Sequence, residues 1–505
     1  MNGRIFIGFL GLTALLRLPS WWVSVIDHDE STYIVIAQQL LQGKVLYADL
    51  CDTKPPGIFL IFGGIISLFG TSVAAIRAVT CVAIAFTAWV LYIINRRCGA
   101  TIGIAILSGL AYILGVSAHR WGMAANTELW FNACTATAWC WGIPLLRLAD
   151  TANRPNNAYL YWALVGLTFG IGFVIKYVVL LDFGAFIALI AIWRLRQNTD
   201  WRQWVRLCIG IFYAVLAFAL PFAMCWAWFD NYGYEAQFAD AVFGITRRYP
   251  SAFNLWHAAD LLGRFALSFL PLCLGAIAAL GYAWRYRHQH SAAQLTLVAL
   301  PLMCGSALVA AILPGKGFSH YLLQPLLPLS LWAFGAAAIQ AQKQGKMGED
   351  REVTTPFQLV YLLRLRQARY LVAFLGLLCL GIIAVNTLRF VAPTDPRRDI
   401  AAWLAPRLHP TDLIYAPAAT ILYAWLDRPP LSPYVHSTLL TKPDHQKALQ
   451  IDAHQILTNI VEQCPRFVVI ETSPPPPPIA RYIAQYCVLA RKYDPEIAVY
   501  SCYSQ

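Results

Sequence analysis

Apolar stretches of roughly twenty residues recur along this chain, each about long enough to cross a hydrocarbon layer as one helix. They lie at 3–23, 73–95, 101–118, 127–147, 158–175, 177–193, 205–228, 260–283, 293–313, 320–340 and 370–391, eleven in all. Only lipid covers so much apolar surface. Of 505 residues, 58% are hydrophobic and 13% charged, against about 25% charged in soluble proteins. A disordered, fibrous or ordinary soluble chain is excluded. The expected fold class is an α-helical polytopic membrane protein of about 11 spans, residues 1–391, followed by a small extracytoplasmic α/β domain, residues 392–505. The first span has no small-residue cleavage site and reads as a retained signal anchor.

A formal charge of +12 would suggest nucleic acid in a soluble domain. Here the Lys and Arg residues sit in short loops and set orientation instead, so no nucleic-acid partner is expected. With the N-terminus cytoplasmic, sixteen basic residues face inside: Arg96, Arg97, Arg147, Arg154, Arg194, Arg196, Arg202, Arg206, Arg285, Arg287, Lys343, Lys346, Arg351, Arg364, Arg366 and Arg369. Six face outside: Lys44, Lys54, Arg120, Arg247, Arg248 and Lys316. The bias predicts a multi-pass plasma-membrane protein, N-terminus in and C-terminus out. The thirteen Cys are dispersed, with no CxxC or Cys/His cluster, and no metal is expected.

Residues 57–70 are apolar but short. They reach only about 21 Å as a helix, against a core of about 30 Å. A span there would put Arg96 and Arg97 outside, so the segment reads as a re-entrant or surface helix within an outer loop, 24–72. In 31–42, Tyr33, Ile36, Ala37, Leu40 and Leu41 follow helical spacing and Gly43 stands where a helix ends. This predicts an amphipathic helix lying in the interface. In the tail, DLIYAP (412–417) and FVVIET (467–472) read as buried strands, with one helix between them over 446–463. Pro474 to Pro478 predict a polyproline II loop. Cys464, Cys487 and Cys502 allow one disulfide in an oxidising compartment.

The loop 24–56 carries Asp27, Asp29, Glu30, Asp49 and Asp52 against Lys44 and Lys54. Asp29 and Glu30 stand at the start of the amphipathic helix, and Tyr33 lies on the same side as Asp29. A carboxylate there serves as an N-cap or as a general base; spacing alone leaves both open. Lys54-Pro55-Pro56-Gly57 sets a cation before a helix whose first turn holds two prolines. That suits an anionic phosphate, or a capped helix with a snorkelling Lys. In HRWGMAANTELWF, Asn126 or Thr127 is a candidate cap and Glu128 lies in the first turn, as a dipole partner or a second carboxylate facing the first loop. In GKGFSHYLLQPLLP, Lys316, His320 and Tyr321 are interface anchors or phosphate-binding groups. The aromatic run 229–258 (Tyr232, Tyr234, Phe238, Phe243, Tyr249, Phe253, Trp256) reads as lipid anchoring in preference to sugar stacking.

Taken in order, DE-x-x-Y, a helix ending in Gly, Y-x-D-x-x-D-x-KPPG, NTE and HYLLQPLLP resemble the GT-C glycosyltransferases. The nearest branch is the bacterial protein-mannosyltransferase-like family that includes the aminoarabinose transferases. The likeness covers about the first 200 residues and 315–330. It implies a polyprenyl-phosphate sugar as donor substrate, with no cofactor, and an acceptor lipid, glycan or protein. Asp29 matches the catalytic acidic residue and Glu128 the second-loop acidic residue. Lys54 matches the donor-phosphate lysine, with Lys316, His320 and Tyr321 beside the donor, and Asp27, Glu30 and Tyr33 line the pocket. Thr32 stands where some aminoarabinose transferases carry Arg, which argues against that sugar. A WWD-type motif is missing from the soluble part, which argues against en bloc glycan transfer. Asp27-His28-Asp29 is formally a D-x-D, but no nucleotide-sugar pool exists outside the cell to need its metal. The competing readings are a proton-coupled transporter, resting on Asp182 inside 177–193 with Lys176 at its edge, and a non-catalytic binding protein on the same fold.

Overall fold

The computed structural model describes residues 2–147, 157–197, 200–248, 254–343, 366–391, 395–417, 419–436, 438–471, 474–494 and 497–503. Arg154, Tyr249, Phe253, Lys346, Arg351, Arg364 and Thr472, all used above, lie outside these residues. The eleven apolar segments are all helical. Among the described residues six helical stretches are long and apolar enough to cross a membrane: Asn2–Trp21, Val73–Arg97, Trp201–Asn231, Ser291–Ile312, Ser319–Gln340 and Arg369–Phe390. Several leave large apolar side chains uncovered; Leu216, Met224, Phe374 and Leu380 are each half exposed or more. Such surface is stable only in hydrocarbon, and the chain is a multi-pass membrane protein.

The expected span 260–283 is not one helix. Leu255–Ser268 and Leu270–Tyr286 meet at 90°, and Pro271 lies in the first turn of the second. Proline lacks the N–H needed to continue the first helix. Counted as one bent span, the pair makes a seventh.

Contacts divide the chain into two units. The first holds Met1–Pro19, Ala78–Met224 and Ser251–Leu388. Its helices include α1 (Asn2–Arg17), most of α4 (Val73–Arg97), α5 (Ile102–Ala118), α6 (Thr127–Arg147), α7 (Ala158–Phe173), α8 (Val179–Leu195) and most of α9 (Trp201–Asn231). Gly166 and Gly170 of α7 let it touch α9 directly: a methyl at either would strike the carbonyl of Ala214 or Phe218. Small residues spaced by four bring membrane helices together in this way. Arg17, fully buried at the end of α1, donates to the carbonyls of Gly122, Met123 and Ala124. It thereby fixes the short turn that leads into α6.

The second unit holds Ser20–Arg77, Cys225–Pro250 and Arg389–Gln505. Here α2 (His28–Leu41) packs on α3 (Gly57–Phe69), with the Tyr33 ring edge-on to Phe59 and Phe62 at 5.7 and 5.4 Å. The amphipathic reading of α2 needs correction. Tyr33, Ile36 and Ala37 are buried as expected, but so are Ser31, Thr32, Ile34, Val35 and Gln39, while Leu41 is 53% exposed. A helix covered on nearly all sides is a core helix. Gly43 does end it, at φ 92°. The first turn of α3 begins after the prolines, with Pro56 at its N-cap.

The tail forms a mixed four-stranded sheet in the order β1-β2-β4-β3. Strands β1 (Ile414–Tyr415) and β2 (Phe467–Ile470) are parallel. Strands β3 (Cys487–Asp494) and β4 (Ile497–Cys502) form an antiparallel hairpin that the sequence pattern did not suggest. Cys487 and Cys502 stand opposite each other and are disulfide-bonded; Cys464 is free. The single helix expected over 446–463 is two, Pro443–Leu449 and Ala453–Glu462. Gln450 breaks it with φ 55°, and Asp452 caps the second helix by accepting from His454 and Gln455. The proline run is not all polyproline II: Pro477 and Pro478 open the helix Pro477–Tyr486, because the missing N–H costs nothing in a first turn.

Candidate active site

At the start of α2 the backbone is capped by Asp27, not by Asp29 or Glu30. Asp27 is extended, and its Oδ1 accepts from the Asp29 N–H at 3.1 Å. That leaves the Asp29 carboxylate for other partners. Its Oδ1 is 3.2 Å from Lys54 Nζ and 3.2 Å from His436 Nε2. Its Oδ2 accepts from the Tyr33 hydroxyl at 3.2 Å, which the four-residue spacing anticipates. Lys54 also lies 3.8 Å from Asp52 Oδ1 and 5.3 Å from the centre of the Tyr33 ring. Asp29 and Lys54 keep 14% and 22% of their side-chain surface exposed, so the pair is enclosed but reachable.

Glu30 points elsewhere. It is buried and meets the buried Arg77 of α4 through two bonds, Nε to Oε1 at 3.0 Å and Nη2 to Oε2 at 2.5 Å. Arg77 also donates to the carbonyls of Ser20 and Val23. Both carboxylate oxygens of Glu30 are thus engaged in fixing the chain before α2. Tyr47 holds the other side of the loop. It sits at φ 67°, a region a bulky residue rarely adopts. Its hydroxyl donates to the Lys54 carbonyl at 2.7 Å, and its ring lies against Phe229 and Phe238 at 5.5 and 5.8 Å. Phe238 is fully buried and stacked on Phe229, so this member of the aromatic run serves the unit's core, not lipid. Tyr232, Phe243 and Trp256 are exposed.

The tail segment is tied to this loop at several points. Pro433 O accepts from Cys51 N at 2.7 Å, Ser31 and Thr420 share a 2.8 Å hydroxyl contact, and Gln38 and Gln42 donate to Asp427. His28 is pushed below the ordinary histidine range, first by desolvation and then by His436 and Arg397, with Asp29 opposing. Glu471 is paired with Arg397 at 2.8 and 3.0 Å. Burial still pushes its carboxyl above the usual range. A cavity of about 290 Å³ opens at the carboxyl ends of β1 and β2, with His28, Tyr415, Thr438 and Glu471 in its lining. Its walls include the unit's own core residues Leu440, Leu457, Ile460 and Ile470, which select no ligand class.

In the first unit a second charged cluster forms around Glu128. This residue is fully buried in the first turn of α6 and ion-paired with Lys176. Lys176 Nζ lies 3.9 Å from the centre of the Tyr321 ring. His320 meets Tyr321 edge-on at 4.7 Å and interacts with Glu128. Lys316 stands between Gly315 and Gly317, at φ 65° and 62°; at Gly317 a side chain would collide with His257. Asp182 is buried and accepts from Ser306 at 2.8 Å and Gln324 at 2.9 Å, so its carboxylate is tied to two neighbouring side chains.

Residues 53–228 match the family model of the dolichyl-phosphate-mannose-protein mannosyltransferases. Over that stretch, well under half of its length, the chain is similar to this family. The match takes in Lys54, Glu128 and Lys176; Asp29 precedes it. Among solved structures, ArnT from Cupriavidus metallidurans bound to undecaprenyl phosphate superposes with a TM-score of 0.64 at 13% identity, covering 99% of this chain and 97% of that one. The same protein in its apo state gives 0.66 at 15%, covering 98% and 97%. An oligosaccharyltransferase from Archaeoglobus fulgidus gives 0.52 at 12%, covering 93% and 69%. At these identities the likeness is one of fold. By sequence, no curated protein matches.

Proposed function

We propose that this protein is a glycosyltransferase of the GT-C type that moves a sugar from a polyprenyl-phosphate donor to an acceptor hydroxyl on the outer face of the membrane, with inversion at the anomeric carbon. The observation that carries this is the Asp29–Lys54 pair at 3.2 Å: a candidate base and a candidate phosphate clamp, adjacent and partly open. Undecaprenyl phosphate is the molecule bound in the ArnT structure of like fold. The leaving group is a phosphate and needs charge more than a proton; Lys54 supplies it. The acceptor hydroxyl gives its proton to Asp29, its oxygen bonds to the anomeric carbon, and the C–O bond to phosphate breaks with its electrons on the phosphate. At rest Lys54 neutralises Asp29. When the donor phosphate takes Lys54, the carboxylate loses its nearest cation and becomes a stronger base.

Asp27 acts by capping α2 and Glu30 by anchoring it through Arg77, while Tyr33 orients Asp29. In the first unit, Glu128 is the residue to which the resemblance assigns the acceptor, and Lys316, His320 and Tyr321 are those to which it assigns further donor contacts. We propose eleven crossings with the N-terminus cytoplasmic and 392–505 outside, on the bias of basic residues between loops.

The decisive comparison is Asp29→Asn against Asp27→Asn. The probe is a labelled undecaprenyl-phosphate sugar, with total cell-envelope extract as acceptor. Asp29→Asn should bind donor and lose turnover by at least about a hundredfold, the usual share of a general base. Asp27→Asn still accepts the cap hydrogen bond and should be milder. Near-normal turnover by Asp29→Asn, or a larger loss in Asp27→Asn, sinks the assignment.

A further inference from the structure

We infer that His436, from the C-terminal segment, is a positioning residue for the reaction: it holds the Asp29 carboxylate by an N–H bond while Lys54 is engaged elsewhere. This rests on Asp29 being the base.

The tautomer follows from the neighbours. The backbone N–H of Thr438 reaches His436 Nδ1 at 3.2 Å, and a backbone amide only donates. Nδ1 therefore presents its lone pair, and the ring proton sits on Nε2. That nitrogen lies 3.2 Å from Asp29 Oδ1, so the imidazole donates to the carboxylate. Thr438 Oγ1, 2.8 Å from Nδ1 and 3.3 Å from His445 Nδ1, holds the same edge of the ring. The backbone on the other side is fixed by the bond from Cys51 N to Pro433 O.

Among the described residues, Lys54 and His436 both donate to Oδ1 of Asp29 at rest. A donor phosphate that draws Lys54 away leaves His436 on that oxygen, with Tyr33 on Oδ2. The carboxylate must keep its rotation at the moment it takes a proton, because base catalysis fails when the heavy-atom geometry is lost. The imidazole keeps its own proton throughout; it orients the base and does not relay.

The test uses the two amides on the full-length protein. His436→Gln places an N–H donor near the position of Nε2, whereas His436→Asn places its amide near Nδ1, facing Thr438 and short of Asp29. With the labelled donor and envelope extract, His436→Gln should keep kcat within about threefold. His436→Asn should lose about 10–100-fold, the worth of a hydrogen bond to a charged group, with the KM for donor unchanged in both. Equal kcat for the two variants, or a loss confined to KM, overturns the role. Asp29→Asn in the same assay separates the causes. If it is inactive while His436→Asn is normal, only this inference fails; if it is active, the base assignment itself fails.

Discussion

Replacing Arg77 by Met is the sharpest test of how the DE pair divides its work. Arg77 has no exposed surface, and its guanidinium makes two bonds to Glu30 and two to the Ser20 and Val23 carbonyls. Met keeps the apolar stem and removes all four. Taking one partner from a buried ion pair costs about 3–5 kcal/mol. The carbonyls left behind add about 1–3 kcal/mol where water cannot reach them. The expected loss is therefore at least about 3 kcal/mol, a shift of more than a hundredfold in the folding equilibrium. Adding Glu30→Leu removes the stranded charge as well, and pairs removed together cost far less than pairs broken. The double variant should recover about half of the loss, the carbonyl term remaining. The assay is denaturant unfolding in detergent micelles, followed by tryptophan fluorescence. An Arg77→Met variant within about 1 kcal/mol of the parent, the scale of a surface pair, refutes the reasoning. So does a double variant whose loss is the sum of the two single losses.

Lys54→Ala should behave oppositely. Its pair with Asp29 is partly exposed and worth no more than about 1 kcal/mol, but undecaprenyl phosphate binding by thermophoresis should weaken about 10–100-fold, the value of a charge-assisted contact. Equal affinity removes Lys54 from the donor site. Cys51 is a chemical reporter of the same loop: burial first, then Asp52 and Asp240, push its thiol up to about 12. At pH 8 it holds roughly a thousandfold less thiolate than an ordinary cysteine, so maleimide should label exposed Cys98 and leave Cys51 unmodified by mass spectrometry. Comparable labelling of both means the loop is open. For orientation, protease added outside intact cells should remove a C-terminal tag and spare an N-terminal one; the reverse inverts every loop assignment.

The membrane class was legible because apolar length is a one-dimensional property, and every apolar segment proved helical. The bend at Phe269 was not, since Pro271 stood inside an otherwise acceptable run. The local contact of Tyr33 with Asp29 was readable from spacing. His436 was not: it lies hundreds of residues from Asp29, in a segment with no motif, and only the folded tail brings it there. Arg77 did leave a signal, an arginine within the apolar run 73–95, and a charge in such a place needs a partner. The same logic covers Arg17, whose partners are backbone carbonyls.

That logic also explains why adjacent carboxylates take different tasks. Successive residues of an α-helix point about 100° apart, so Asp29 and Glu30 at the start of α2 cannot address the same neighbour. Glu30 turns into the unit and meets Arg77, where no solvent competes and the pair is fixed by four bonds. Asp29 turns to the loop that carries Lys54 and to the segment that carries His436, where some surface stays open. A base must exchange its partners during a reaction, and an anchor must not. The more exposed carboxylate, held by single bonds near 3.2 Å, is the one able to exchange. The capping role that would have tied Asp29 down is taken by Asp27, so the loop's three acidic neighbours face three environments, as a cap, an anchor and, in our proposal, a base.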